Sequence, residues 1–235
     1  MMPSARLTVL ACVAFATACT SGSGDAIFPA PGSSTEFENA GGGGGDALQC
    51  PTGSSDLSIG NVIRDFSFDG YVDPEHRGFG PDKVTQVSLC DFYNPTGEEV
   101  YGTGTPFDEG SPKPRALMIN VAALWCQPCK LEAGEILPEE YALYHPRGLE
   151  LISILADTNS PGESAQLNHL DGWVGSFQVE YVAVIDPDRR LTNQLNAAQF
   201  PSNVLVDTST MRIVESLSGL PDDGFFAKAE QLLGP

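Results

Sequence analysis

Beyond residue 60 the sequence alternates short apolar runs with amphipathic stretches, and the alternation sets out an order of elements. Residues 62–68, then Asp69-Gly70, then Tyr71-Val72 predict strand, turn, strand, because both positions of an Asp-Gly turn tolerate positive φ. Residues 73–83 are a polar loop bearing Gly and Pro. Residues 84–93 alternate well enough for another strand, which Asn94-Pro95-Thr96-Gly97 ends. Residues 102–114 are again loop. The pattern then changes: residues 116–124, ALMINVAAL, are almost wholly apolar, which suits a central parallel strand covered on both faces. A helix follows directly and runs to residue 144, with Leu131, Ile136, Leu137, Tyr141 and Tyr144 as an imperfect apolar stripe. Pro138 inside it predicts a kink, and Pro146 and Gly148 mark its end. Residues 149–155 predict a second apolar strand, 163–177 a helix interrupted near Gly172, 181–185 a third strand and 189–198 a short helix. Residues 202–206 and 211–217 predict a hairpin across Asp207-Thr208-Ser209-Thr210. Pro221-Asp222-Asp223 opens a last helix through Leu233. Strands and helices alternate, so the expected class is α/β: a sandwich around a central mixed sheet, with an N-terminal β-hairpin extension.

The first 48 residues follow another pattern. Arg6 precedes an apolar run over residues 7–18, too short to span a bilayer as a helix and laid out as a secretory signal peptide. The ending Ala16-Thr17-Ala18-Cys19 resembles a bacterial lipobox, in which the cysteine is lipidated and becomes the new N-terminus. The alternative is an ordinary cleaved signal ending near Ala18. Residues 19–48 are rich in Gly and Ser, and the consecutive glycines at 41–45 carry a high entropic cost of ordering. These features predict a signal peptide of lipoprotein type over 1–18, a flexible tether over 19–48 and one folded domain over 49–235. The protein is then exported to the periplasmic face of a bacterial membrane as a lipoprotein, or is soluble in the periplasm if Cys19 carries no lipid.

Charge removes whole classes of function. The 235 residues hold 12 Lys+Arg against 31 Asp+Glu, a formal net charge of −19. Nucleic-acid binding needs a basic surface to meet phosphates, and a polybasic membrane contact needs the same. The 41% hydrophobic content is enough for a core, while 25 Gly and 18 Pro agree with an appended spacer and long loops.

The six cysteines narrow the chemistry. Cys12 lies in the signal peptide and Cys19 is the lipid acceptor. Cys126 and Cys129 form a CxxC pair, and Cys50 and Cys90 stand alone. In an exported protein two isolated cysteines predict a structural disulfide, here Cys50–Cys90, pinning the end of the tether onto the domain. The alternative is a four-cysteine zinc site, which as a rule needs two close pairs where this sequence has one.

Trp125-Cys126-Gln127-Pro128-Cys129 falls where the apolar strand meets the helix. At a helix N-terminus unpaired N–H groups and the helix dipole stabilise a thiolate, so Cys126 is placed to be the nucleophile. Two intervening residues make one turn and bring the second sulfur beside the first. Pro128 is compatible with that turn because its missing N–H is not needed there. The expected cycle has Cys126 attack a substrate disulfide and Cys129 resolve the mixed disulfide, so both are catalytic and form a redox-active disulfide when oxidised.

On this motif, and on Phe200-Pro201 followed by the strand at 202–207, the sequence resembles the thioredoxin superfamily, and more narrowly the TlpA/ResA-type redoxins, over residues 59–235. The resemblance implies a thioredoxin-like three-layer sandwich. It implies an exported, membrane-tethered thiol–disulfide oxidoreductase without a cofactor, acting on protein thiols and disulfides, with a membrane thiol-electron transporter as donor. It further implies that Pro201 is cis and faces the CxxC pair, and that the backbone of Phe200 pairs with bound substrate. Asn120 stands where thioredoxin has a buried acid. Glu132, three residues after Cys129, is expected to help proton transfer to or from Cys129, and Trp125 and Pro128 support the site as parts of the motif. Phe200 is bulkier than the Thr or Val usual before the cis-proline, and Gln127 replaces the usual Gly, Pro or Glu. Both bear on substrate choice and redox potential.

Two other functions compete. A peroxiredoxin-type peroxidase would carry Thr three residues before its reactive cysteine, where this sequence has Ala123. A Sco-type copper-binding assembly factor would space its cysteines CxxxC and add a distant histidine. His76, His145 and His169 show no paired spacing, so no metal is expected.

Overall fold

A computed structural model describes residues 49–195 and 200–234. The signal peptide expected over 1–18, the lipid acceptor Cys19 and the tether expected over 19–48 lie outside the described residues. The elements are β1 (Ser67–Tyr71), α1 (Pro74–Arg77), β2 (Thr85–Ser88), β3 (Ala116–Ala123), α2 (Gln127–Leu131), α3 (Leu137–Tyr144), β4 (Leu149–Asp157), α4 (Leu167–Phe177), β5 (Val182–Ile185), β6 (Ser202–Asp207), β7 (Arg212–Ser218) and α5 (Asp223–Leu233). The seven strands form a mixed sheet in the order β2-β1-β5-β4-β3-β6-β7. The β3/β4 and β4/β5 pairs are parallel; the other pairs are antiparallel.

The continuous apolar run became the most enclosed strand. Every residue of β3 is buried, since β4 and β6 flank it and a separate core packs on each face. One core is closed by the helices through Ala133, Leu137, Leu170, Trp173, Phe225 and Phe226. The other is closed by the segment before β1, through Leu57, Ile63 and Phe66, together with Leu89, Phe92 and Tyr101. That segment also shields the outer edge of β7: Ile63 N–H donates to Met211 O at 2.8 Å and Ile213 N–H donates to Asn61 O at 2.9 Å. Covering an edge in this way removes a free ladder of donors and acceptors. Cys50 and Cys90 are joined, with Cα atoms 5.8 Å apart, and fasten the start of this segment to the 3-10 turn Leu89–Phe92.

Four local expectations need correction. Asp69-Gly70 is not a turn but the middle of β1, and the hairpin is made instead by β1 and β2. Gly70 serves close approach: a Cβ there would stand 2.2 Å from Ala183 O of the paired β5. The strand expected over 84–93 stops at Ser88, whose hydroxyl accepts the Cys90 N–H and starts the 3-10 turn. The helix expected from 163 begins at Leu167 and passes through Gly172 unbroken. The helix expected over 189–198 is a 3-10 turn at Thr192–Gln194 in its described part, bounded by Arg189 at positive φ and by extended backbone at Leu195, with the Asp186 carboxylate accepting the N–H groups of Arg190, Leu191 and Thr192. Residues 196–199 lie outside the described residues.

The helix after β3 continues from α2 to α3 through a π turn at Glu132–Ile136, where Leu137 N–H reaches back to Glu132 O. The wider turn restarts the ladder, so Pro138 falls in the first turn of α3, where no N–H is required.

Candidate active site

The chain leaves β3 at Ala123 and turns into α2 within three residues, with Cys126 N–H donating to Ala123 O at 3.1 Å. Cys126 is the N-cap, and its Sγ accepts the Cys129 N–H at 3.1 Å. This is the contact by which a helix start holds electron density on sulfur. The two sulfurs are bonded, with Cα atoms 5.3 Å apart, so the pair is in its oxidised state. In that state Cys126 is 2% exposed and Cys129 0%. The part of the motif offered to solvent is Gln127 and Pro128, with Trp125 half-buried.

Trp125 connects the motif to its surroundings. Its Nε1–H donates to Asp157 Oδ2 at 3.2 Å, at the end of β4. The Asp157 carboxylate is buried, accepts Gly162 N–H at 2.8 Å and is paired with Arg189. The indole meets the Phe200 ring edge-on, with centroids 5.7 Å apart. The Phe200–Pro201 peptide is cis, and Pro201 O accepts Gly219 N–H at 2.7 Å. Residues 75 positions apart in sequence thus meet at one end of the central strands.

A polar row crosses the sheet and meets the helix that carries the cysteines at Glu132. Ser153 of β4, Asn120 of β3 and Asn203 of β6 lie in register on three neighbouring strands. Ser153 Oγ–H donates to Asn120 Oδ1 at 3.0 Å. Asn120 Nδ2 donates to Glu132 Oε2 at 2.8 Å and to Asn203 Oδ1 at 3.0 Å. Asn203 Nδ2 donates to Glu132 Oε1 at 2.8 Å and to Gly219 O at 3.1 Å. Glu132 is 0% exposed and sits one helical turn after Cys129. Burial pushes its carboxyl up to about 7, against the opposing pull of the Asn203 and Asn120 amides. A carboxyl poised near neutrality can hold or release a proton at the pH at which a thiol must do the same.

The structure therefore brings Trp125, Cys126, Pro128, Cys129, Phe200 and Pro201 together, and joins Asn120 to Glu132, one turn after Cys129, in one network. Cys50 and Cys90 belong elsewhere, at the fastening of the N-terminal segment. The sequence reading did not single out Asn203, Ser153 or Asp157. The available signal was a polar residue interrupting an otherwise apolar buried strand, as Ser153 does in LISILAD and Asn203 in SNVLVD. His76, His145 and His169 stand on or beside three different helices, and among the described residues no group of three His, Cys, Asp or Glu side chains could hold a metal ion. A cleft of about 860 Å³ lies at the opposite ends of the central strands, lined by Arg115, Leu149 and Val182, and none of the site residues reaches it.

No protein-family model matches the chain. Over 123 residues it is 22% identical to the thiol-disulfide oxidoreductase ResA of Bacillus subtilis (strain 168), a match covering 52% of this chain and 64% of that protein, just under two thirds of its length. Its structure is similar to that of a thiol:disulfide interchange protein DsbE from Chlorobium tepidum, with a TM-score of 0.53, 16% identity, and 76% of this chain and 99% of that one covered. The thioredoxin domain of a thiol-disulfide oxidoreductase from Bacteroides vulgatus aligns with a TM-score of 0.51, at 16% identity and with the same coverages, 76% and 99%. At such identity the structural likeness is one of fold.

Proposed function

We propose that this chain, similar to ResA in sequence and to thiol–disulfide interchange proteins in fold, is a thioredoxin-like redoxin, a thiol–disulfide oxidoreductase that reduces protein disulfides through Cys126 and Cys129. The observation that carries this reading is the vicinal pair at the β3–α2 junction, with Cys126 as helix N-cap and the cis Phe200–Pro201 peptide beside it.

In the reduced protein the Cys126 thiolate attacks one sulfur of a substrate disulfide. The substrate's S–S bond breaks, its other sulfur leaves with the bonding pair and takes a proton, and a mixed disulfide with Cys126 forms. Cys129 then gives its proton to the Glu132 carboxylate and attacks Cys126 Sγ. The mixed disulfide breaks, the second substrate sulfur leaves as a thiol after protonation, and the Cys126–Cys129 bond forms. Two electrons have passed from the protein dithiol to the substrate. A dithiol donor, by our reading a membrane thiol-electron transporter, reverses the last state by the same exchange. The Phe200 backbone pairs with the substrate strand, and the Phe200 and Trp125 rings border its path.

The arrangement supports this reading over the two competitors. A peroxidatic site needs a donor where Ala123 stands, buried and apolar. A Sco-type copper site would draw on a histidine such as His169, whose Nδ1 instead accepts the Gln166 N–H at 3.1 Å in the first turn of α4. We further propose export and anchoring through lipidated Cys19. Among the described residues no helix is long and apolar enough to cross a membrane.

Dithiothreitol-driven reduction of insulin tests the activity: wild type accelerates it and Cys126→Ser does not. Equal rates in the two would end the reading. Cys129→Ser, which strands the mixed disulfide, is expected to capture the cellular substrate.

A further inference from the structure

Asn203 stands two residues after Pro201, inside a strand whose other buried side chains are apolar apart from Ser202. It is 0% exposed, and both protons of its amide are used. One goes to Glu132 Oε1 at 2.8 Å and one to Gly219 O at 3.1 Å. Its Oδ1 is used as well, accepting from Asn120 Nδ2 at 3.0 Å. Glu132, Asn120 and Asn203 therefore close a ring in which each carboxylate oxygen meets one amide donor. Rotating the Asn203 amide by half a turn would set its oxygen against Glu132 Oε1 and Gly219 O, two acceptors, so the ring fixes its orientation. The Gly219 end matters too, because Gly219 N–H donates to Pro201 O at 2.7 Å. The Gly219 backbone, through its N–H and its C=O, thus joins the cis-proline carbonyl to the side chain that grips Glu132.

We propose that Asn203 is a positioning residue of the thiol–disulfide site, holding the Glu132 carboxylate one helical turn after Cys129 and tying it to the strand end that carries cis-Pro201. The proposal rests on the oxidoreductase reading for its consequence in catalysis, but not for the hold itself. Asn120 grips the opposite oxygen from β3, so loss of Asn203 leaves Glu132 tethered on one side and free to turn. A carboxylate losing one of two amide donors in a buried site is destabilised relative to its protonated form. The titratable groups facing Glu132 are few. Cys129 lies on its own helix, and Tyr181 ahead of β5 is held neutral by burial. The flanking β3, β4 and β6 present Asn120, Ser153 and Asn203, none of which titrates.

The test compares wild type, Asn203→Leu and Asn203→Ser in the reduced state. The Glu132 carboxyl is followed by carbon NMR against pH and assigned by the signal lost in Glu132→Gln. Both variants are expected to raise the titration midpoint by about one to two pH units. The pH profile of insulin reduction should move in the same direction, and the movement should vanish when Asn203→Ser is placed in a Glu132→Gln background. If the leucine variant does not fold, the serine variant carries the same expectation, since its hydroxyl cannot span Glu132 and Gly219 together. An unchanged midpoint in the folded variants overturns the proposal. So does a uniform loss of rate at every pH that persists in the Glu132→Gln background, which marks a merely structural role. If wild type fails to reduce insulin, the oxidoreductase reading falls, while the titration still decides whether Asn203 holds Glu132.

Discussion

Glu132→Gln provides a test of the buried network that does not depend on any substrate. The Glu132 carboxyl is 0% exposed and pushed from 4.5 up to about 7 by burial. A carboxyl whose folded value is raised binds its proton more tightly in the folded state. Its contribution is therefore fully present below about pH 4.5 and is lost as pH climbs through about 7. A rise of that size corresponds to about 3 kcal/mol across the window. Glutamine does not titrate. It also sets one N–H against the Asn120 or Asn203 amide, which adds a constant offset of about 1–2 kcal/mol to the variant. The offset is independent of pH, so the informative quantity is the stability difference between the two proteins followed against pH. Urea unfolding of the oxidised forms at intervals from pH 4 to pH 8.5 measures it, with the cysteines bonded and silent. Glu150, also pushed up to about 7 by burial, gives the same slope to both proteins and cancels. The difference should move in favour of Glu132→Gln by about 3 kcal/mol between the two ends. Parallel curves would refute the claim that this carboxyl is held in a low-dielectric site and poised near neutrality.

Two further outcomes follow from the fold. Replacing Cys50 and Cys90 together by Ala releases a closure 40 residues apart in sequence, worth about 4 kcal/mol in the chain-entropy model. Thermal melts should show a fall of about 8–16 °C, with insulin reduction retained at 25 °C because the fastening is apart from the Cys126 site. Gly70→Ala places a methyl group 2.2 Å from the Ala183 carbonyl oxygen of β5, a backbone atom that cannot swing aside. Denaturant midpoints should report a loss of more than about 2 kcal/mol, whereas Gly102→Ala, where nothing lies within 4 Å and φ is not positive, serves as the control without a close approach.

The part of the fold visible in the sequence is the part where one physical signal acts alone. The run at 116–124 is apolar at nearly every position because β3 is covered on both faces, and no turn or cap chemistry competes with that signal. The motif at 125–129 was equally legible, since strand-to-helix junctions and cysteine spacing are local. Asp69-Gly70 misled because two uses of glycine look identical in one dimension. It can supply positive φ in a turn, or it can let two backbones approach, and only the pairing of Gly70 with Val184 decides between them. The segment at 189–198 misled because Arg189 takes a positive φ and Leu195 is extended, which leaves only a 3-10 turn between them. The network around Glu132 depends on register. Asn120, Ser153 and Asn203 become neighbours only when β4, β3 and β6 align, and nothing local announces that alignment. Glu132 was a candidate only through the resemblance to the TlpA/ResA-type redoxins, and of the two amides that grip it the sequence reading singled out Asn120 but not Asn203.

The central claim is that Cys126 is a nucleophile because the helix start holds charge on its sulfur. Its direct measurement is the rate of alkylation of Cys126 by iodoacetamide in reduced Cys129→Ser protein, followed against pH by mass spectrometry. The account predicts a rate that reaches half its plateau well below the value of a free thiol, about 8.5. A sulfur that stays unreactive through the neutral range, and rises only as an ordinary thiol does, would contradict it.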